Sequence, residues 1–352
     1  MTEKILFRQI GLPIFQNKVY GDREAALNAA TADVELVQNA TTGLVHNRKF
    51  DAALMRYDES YQNEQACSSA FQDHLEQVAQ ILVRNFSGGK KGIEIGCGKG
   101  YFFEKLLDLG LDLTGYDPAY EGSHPRIIKQ YFGHDVAAPP DYIILRHVLE
   151  HIPSPWTFLE QLASHSHPDT TIFIEAPCFD WIVKNRAFYG IFFEHPSYFT
   201  LDVLENAMPS TIESGHLFGG QYLYIIAKLA GFKTPASHDG KRYEELDIDS
   251  HIDTLLLQRR APDHGAFVWG AGAKGITFSC ILAKRGIAVD AIIDINPVKQ
   301  GKFAGGSGVP IIAPQQCMQD LPGADVFVMN PVYLEEIKAS VGQLNINWIS
   351  TV

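Results

Sequence analysis

Apolar residues fall at helical spacing over residues 66–86, where Phe71, Leu75, Val78, Ile81 and Leu82 share one face and Ser87-Gly88-Gly89 supplies a stop. Downstream the period changes. Residues 141–145 (DYIIL), 170–175 (TTIFIE) and 221–228 (QYLYIIAK) are short apolar runs that predict strands. Helices are predicted over 156–164, behind Pro153 and Pro155, and over 201–207. Residues 231–241 (GFKTPASHDGK) read as a linker and 244–260 as a further helix. Two segments, 92–117 and 266–294, share one plan: a short apolar strand, a glycine-rich turn, a helix, and a second strand ending in aspartate. This pattern predicts an α/β protein with two separate doubly wound units. Residues 25–40 carry no decisive period.

The chain has 352 residues, room for two or three domains. Its 46% hydrophobic and 20% charged residues are a globular balance, not a disordered one. A net charge of −12 disfavours nucleic acid and anionic membranes, and no basic block reverses this locally. No apolar run approaches the roughly 20 residues of a membrane span. Glu3, Lys4 and Arg8 interrupt the N-terminus, so no signal peptide is expected. The five cysteines (Cys67, Cys97, Cys178, Cys280, Cys317) are odd in number and nowhere spaced CxxC. Free thiols, a cytoplasmic location and no metal site are therefore expected. His165 and His167 lie in a stretch read as a loop.

In the first unit a strand runs into Gly96-Cys97-Gly98-Lys99-Gly100, and a helix follows from Tyr101. Glycines let the backbone approach a ligand, and the helix start offers free amides. The dinucleotide fingerprint GxGxxG is not matched, because the third glycine comes one place early and position 101 is tyrosine. Glu94, two residues before the first glycine, completes an E-x-G-x-G-x-G form that resembles motif I of class I S-adenosylmethionine methyltransferases. Asp117 ends the next strand, where a carboxylate can accept both ribose hydroxyls of an adenosine. A later strand delivers Arg146-His147-Val148-Leu149-Glu150-His151, similar to that family's N/H-V-L-E-H segment, and places Arg146 and His147 at the ligand-binding end. The expected donor site is Glu94, Gly96, Cys97, Gly98, Asp117, Arg146 and His147, with S-adenosyl-L-methionine as cofactor.

Glu194-His195 followed by Ser197-Tyr198-Phe199 resembles the YHEHxxYF segment of sugar C-methyltransferases. The likeness spans nearly the whole chain, and residues 268–314 (VWGAGAKG…IIDINPVKQGKF…GVPIIAP) resemble that family's C-terminal domain. It implies three parts: a small N-terminal domain (1–70), a methyltransferase domain (71–230) and a C-terminal Rossmann-like domain (231–352). It also implies a histidine base that removes a proton beside a ketone, with His195 at the matching position. Glu194 would orient the ring or touch substrate, and Tyr198 would bind substrate. Tyr57 and Tyr61 match a tyrosine-rich segment that closes over donor and acceptor. The acceptor implied is a small molecule, such as a nucleotide sugar, handled by a monomer or homodimer.

Three departures stand out. The family's N-terminal zinc cysteines are absent, since the matching stretches read Phe7-Arg-Gln-Ile-Gly11 and Gln38-Asn-Ala-Thr-Thr-Gly43. Phe192 replaces a tyrosine three residues before the base. The GGSLR segment appears as Gly219-Gly220-Gln221-Tyr222-Leu223, so Gly220 and Gln221 stand where an acceptor contact is expected. These changes keep open transfer to oxygen or nitrogen of a non-sugar metabolite. The second turn, Gly270-Ala-Gly272-Ala-Lys274-Gly275, is a full GxGxxG with Asp294 at the next strand tip. It leaves three readings open: NAD in an oxidoreductase, a nucleotide or phosphate of the acceptor held with the help of Lys274, or a scaffold.

Overall fold

The computed structural model describes residues 4–55, 68–133, 139–260 and 265–352. Its centre is a seven-stranded sheet in the order Thr211–Leu217, Tyr222–Lys228, Thr171–Pro177, Tyr142–Arg146, Lys91–Ile95, Asp112–Tyr116 and Ile127–Ile128. The last five strands are parallel, and Tyr222–Lys228 pairs antiparallel with both its neighbours. Lys91–Ile95 has Asp112–Tyr116 on one side and Tyr142–Arg146 on the other, which is the switch point where such sheets bind ligands. Burial on both faces explains the uninterrupted apolar runs: Ile143, Ile144, Leu145, Ile172, Phe173 and Ile174 are all at most 1% exposed.

The predicted helix over 66–86 forms as Ser69–Phe86, with Ser68 as N-cap, and buries Leu75, Val78 and Leu82. The helix expected over 244–260 is shorter, Ile248–Leu256. Asp247 caps it by accepting from the Ser250 amide, and before the cap Leu246 donates to the Leu6 carbonyl at 2.7 Å.

The N-terminal part is an antiparallel sheet in the order Ile5–Pro13, Thr31–Gln38, Val45–Asn47 and Ser197–Tyr198. Its fourth strand comes from the middle of the chain, so this sheet braces the turn that carries Glu194 and His195. Phe7, at the start of the first cysteine-free stretch, is buried in the apolar core beneath the sheet.

The C-terminal part is a five-stranded parallel sheet, ordered Ile311–Ile312, Ala291–Ile293, Ala266–Trp269, Asp325–Val328 and Asn347–Ser350. Tyr189 donates to the Thr351 carbonyl at 2.8 Å, and Ser68 Oγ donates to Glu336 at 2.8 Å, so this part is tied to the middle of the molecule on two sides. Among the described residues no helix is long and apolar enough to cross a membrane.

Candidate active site

The strand Lys91–Ile95 ends in Gly96, Gly98 and Gly100, all with left-handed φ (77°, 57° and 86°), a conformation that side chains disfavour. Gly96 N donates to Tyr116 O at 2.8 Å, Gly98 N to Asp117 Oδ2 at 2.8 Å and Ala119 N to Asp117 Oδ1 at 2.8 Å. Each carboxylate oxygen of Asp117 keeps a further lone pair for a hydroxyl. A side chain built at Gly98 would meet nothing within 4 Å, so a ligand can lie against the backbone there. Glu94 is buried beneath the turn, and burial pushes its carboxyl up to about 7 against the pull of Arg146. Gly96, Cys97, Gly98, Arg146 and His147 line a cleft of about 500 Å³, with Phe71, Leu75 and Phe102 as apolar wall. Glu94 lies buried behind that lining, and Asp117, partly exposed, lies at the end of the neighbouring strand outside it.

Arg146 does not project freely into the cleft. Its Nε donates to Glu175 Oε2 at 2.7 Å, and its guanidinium lies 4.0 Å over the Phe102 ring. Glu175 is fully buried and also faces His74 Nε2 at 2.8 Å and His147 Nε2 at 3.8 Å. Burial opposes ionisation of Glu175, but Arg146, His74 and His147 outweigh it and hold the carboxyl well below its usual range. Burial lowers His74, and Glu175 offsets this only in part. His147 has a positive φ of 53°, which is uncommon without glycine, and its Nδ1 lies 3.3 Å from Glu150 Oε1.

The turn between Gly190 and Ser197 brings Phe192, Glu194 and His195 to the same cleft. Glu194 Oε1 accepts from the Gln16 amide at 2.9 Å, and Pro196 O accepts from the Asn47 amide at 2.9 Å, so the N-terminal sheet fixes the turn. The His195 ring packs edge-on to His151 (4.7 Å) and Phe192 (5.0 Å). Burial, then the neighbouring His151 and His147, hold its pKa well below the ordinary value, so the imidazole is neutral. Tyr198, expected to bind substrate, does not reach the cleft. Its hydroxyl donates to Phe192 O and accepts from Phe192 N, both at 2.9 Å, and the residue is 3% exposed, so it braces the turn. Tyr57 and Tyr61 lie outside the described residues.

A family profile described as a methyltransferase domain matches residues 68–211, the segment that holds this turn and the EH motif. One described as a C-methyltransferase C-terminal domain matches residues 230–348. A curated relative, C-methyltransferase NovU of Streptomyces niveus, is 24% identical over 292 residues, covering 71% of this chain and 69% of its own. The chain is a class I S-adenosylmethionine-dependent methyltransferase. Among solved structures similar to it are the PH0226 protein of Pyrococcus horikoshii OT3 (12% identity, TM-score 0.41, 49% of this chain and 99% of that one) and a Burkholderia thailandensis 1,6-didemethyltoxoflavin-N1-methyltransferase (15%, 0.36, 46% and 80%).

In this methyltransferase the C-terminal part forms the far wall of the cleft, through Gly270, Gly272, Lys274, Asp294, Asn330 and Glu336. Lys274 Nζ donates to Gln221 Oε1 at 2.6 Å and lies 5.1 Å from the Trp181 ring. Gln221 exchanges amide bonds with Asn330 at 2.8 and 3.1 Å. Burial pulls the Lys274 ammonium down to about 8, and among the described residues no carboxylate pairs with it. Gly220 abuts the Trp181 indole instead of lining the cleft. Sequence reasoning missed His74, Glu175, Trp181 and Asn330. Of these only Glu175 carried a signal, as a charged end to an apolar strand.

Proposed function

We propose that the methyltransferase transfers its methyl group to carbon, next to a carbonyl of a nucleotide sugar or a similar activated small molecule, with His195 as general base. S-Adenosylmethionine, when bound, supplies an electrophilic methyl group on a sulfonium sulfur. Gly96, Cys97 and Gly98 would hold it against the open backbone of the turn, with Asp117 accepting the ribose hydroxyls and Arg146 and His147 closing the strand-end side. The observation that carries the reading is a neutral imidazole, His195, in the cleft that this turn also lines. Its lone pair is available near neutral pH to remove a proton from the carbon beside a ketone. The electron pair left on that carbon would form the new bond to methyl as the methyl–sulfur bond breaks, its electrons staying on sulfur to leave S-adenosylhomocysteine, and the imidazolium proton would pass to solvent. What remains for the chain is alignment. Lys274, an ammonium with an amide partner and, among the described residues, no carboxylate, suits a phosphate of the acceptor on the far wall.

The test is solvent exchange. Nucleoside-diphosphate keto-deoxysugars incubated with the protein in deuterium oxide, without donor, gain deuterium at the carbon beside the ketone. His195→Ala abolishes this while its affinity for S-adenosylhomocysteine is unchanged. No uptake by the wild type from any such sugar overturns carbon transfer and favours oxygen or nitrogen as the methylated atom.

A further inference from the structure

We propose that Glu150, His151 and His195 form a binding site for an imidazole-seeking divalent cation of the zinc type, opening on the cleft. One ring nitrogen of each histidine and one carboxylate oxygen of Glu150 all lie within 4.8 Å of one another. Bonds of roughly 2.1 Å to one ion place its ligand atoms about 3–4 Å apart, so shifts of about an ångström close the site. All three residues line the cleft, which leaves a coordination position facing the space where small molecules enter.

Two further observations point to a missing cation. Glu150 is 2% exposed; one oxygen faces His147 Nδ1 at 3.3 Å, and the other, Oε2, is buried without a hydrogen-bond partner among the described residues. A buried carboxylate oxygen left in that state needs a donor or a positive ion. His151 Nδ1 lies 3.1 Å from the Glu194 carbonyl. A proton on that nitrogen makes it a donor, the way the outer nitrogen of a ligating histidine is usually held. Two imidazoles and one carboxylate favour zinc, cobalt, nickel or iron(II) over magnesium or calcium. The sequence concealed the set, because the third ligand follows an adjacent Glu-His pair only after the intervening strand Thr171–Pro177 and carries no metal spacing.

The site has a consequence for the reaction. A ring nitrogen cannot hold a metal and accept a proton at once, so cation occupancy and base function at His195 exclude each other. The cation is then an inhibitor that acts on the base itself. This consequence rests on the proposed function, whereas the cation site does not.

Cobalt(II) added to the full chain after chelator treatment is the probe. Expected is one equivalent bound, visible ligand-field bands of nitrogen ligation, and reversal by chelator. Glu150→Gln, close in shape to the native side chain, and His151→Ala each weaken binding at least about tenfold. Circular dichroism melting of both variants shows that the fold is kept. Absence of bands in the wild type, or unchanged affinity in both variants, overturns the site. Deuterium uptake into the keto-sugar should fall in proportion to cobalt occupancy. Uptake that persists with the site full overturns the exclusion. No uptake from the metal-free protein tells against the base reading alone and leaves the cobalt result to decide the site.

Discussion

The molecule carries one backbone device twice, and the two copies differ in what surrounds them. In each, an aspartate at a strand tip accepts one amide from the glycine turn and one from two residues further on. Asp117 accepts from Gly98 and Ala119, both at 2.8 Å; Asp294 accepts from Ala271 at 2.6 Å and Asn296 at 2.7 Å. In the first turn three glycines are left-handed, and buried Glu94 stands two residues before them. In the second only Gly270 is left-handed (φ 106°), Gly272 is near-extended, and Val268 replaces the acid. The cations differ too. Arg146, beside the first turn, is neutralised by Glu175 at 2.7 Å, while Lys274, inside the second, has an amide partner. Lys299 is held by the Ala271 carbonyl at 3.0 Å. Glycine spacing therefore sets the path of the backbone, and the charges around it decide what the path can receive.

The contrast breaks most visibly at Gly275. A Cβ there would lie 1.9 Å from the Gly270 carbonyl oxygen, a backbone atom that cannot rotate away. Gly275→Ala should destabilise the protein by about 3 kcal/mol, at the upper end of overpacking effects, seen as a lower melting temperature. An unchanged melting temperature would show that the second turn is not closed on itself.

Glu94 gives the next largest effect. The folded protein holds its proton up to about pH 7, while the unfolded chain releases it near 4.5. Stability therefore falls as pH rises between those values and is level above them. At about 1.4 kcal/mol per unit, the penalty at pH 8 is at most roughly 3 kcal/mol. Glu94→Gln should remove that slope and be more stable than wild type at pH 8, measured by urea unfolding at pH 4.5, 6 and 8. The second turn, with Val268 at the matching position, contributes no such slope.

These differences also mark what was legible in the sequence. The apolar runs of the central sheet, both glycine turns and the Glu194-His195 pair were visible because each is local: a run, a spacing or an adjacent pair. The strand Ser197–Tyr198 was not, because two residues have no period and their place is set by pairing with Val45 and His46. Tyr198 looked like a substrate contact because sequence does not show that its hydroxyl is satisfied by Phe192. The network of His74, Arg146, His147 and Glu175 was hidden for the same reason. Its members lie on separate helices, turns and strands, and only the fold brings them together.

The two aspartates come next in size. Charge-assisted hydrogen bonds contribute about 1.5–3 kcal/mol, so Asp117→Asn should weaken S-adenosylhomocysteine binding at least about tenfold by calorimetry. Asp294→Asn should leave that affinity unchanged and lower the melting temperature, since its two backbone bonds are structural. Equal losses of affinity in the two variants would erase the functional distinction between the turns.

The finest probe is a single methyl group. Built side chains at Gly98 and at Gly272 both meet nothing within 4 Å, so neither alanine is excluded by crowding. They differ in backbone. Gly98 has φ +57°, where alanine costs about 1 kcal/mol, whereas Gly272 has φ −81° and ψ −177°, which any residue adopts. Gly98→Ala should therefore lose about 1 kcal/mol of stability, and its methyl should weaken S-adenosylhomocysteine binding by filling the space the ligand approaches. Gly272→Ala should be silent in both measurements, because no donor lies there and no strain is introduced. Its effect should appear only with the acceptor, as weaker binding of a nucleoside-diphosphate keto-deoxysugar, if a phosphate approaches the second turn beside Lys274. Silence there as well would make the second turn a scaffold and leave Lys274 to meet the acceptor without help from the glycine backbone.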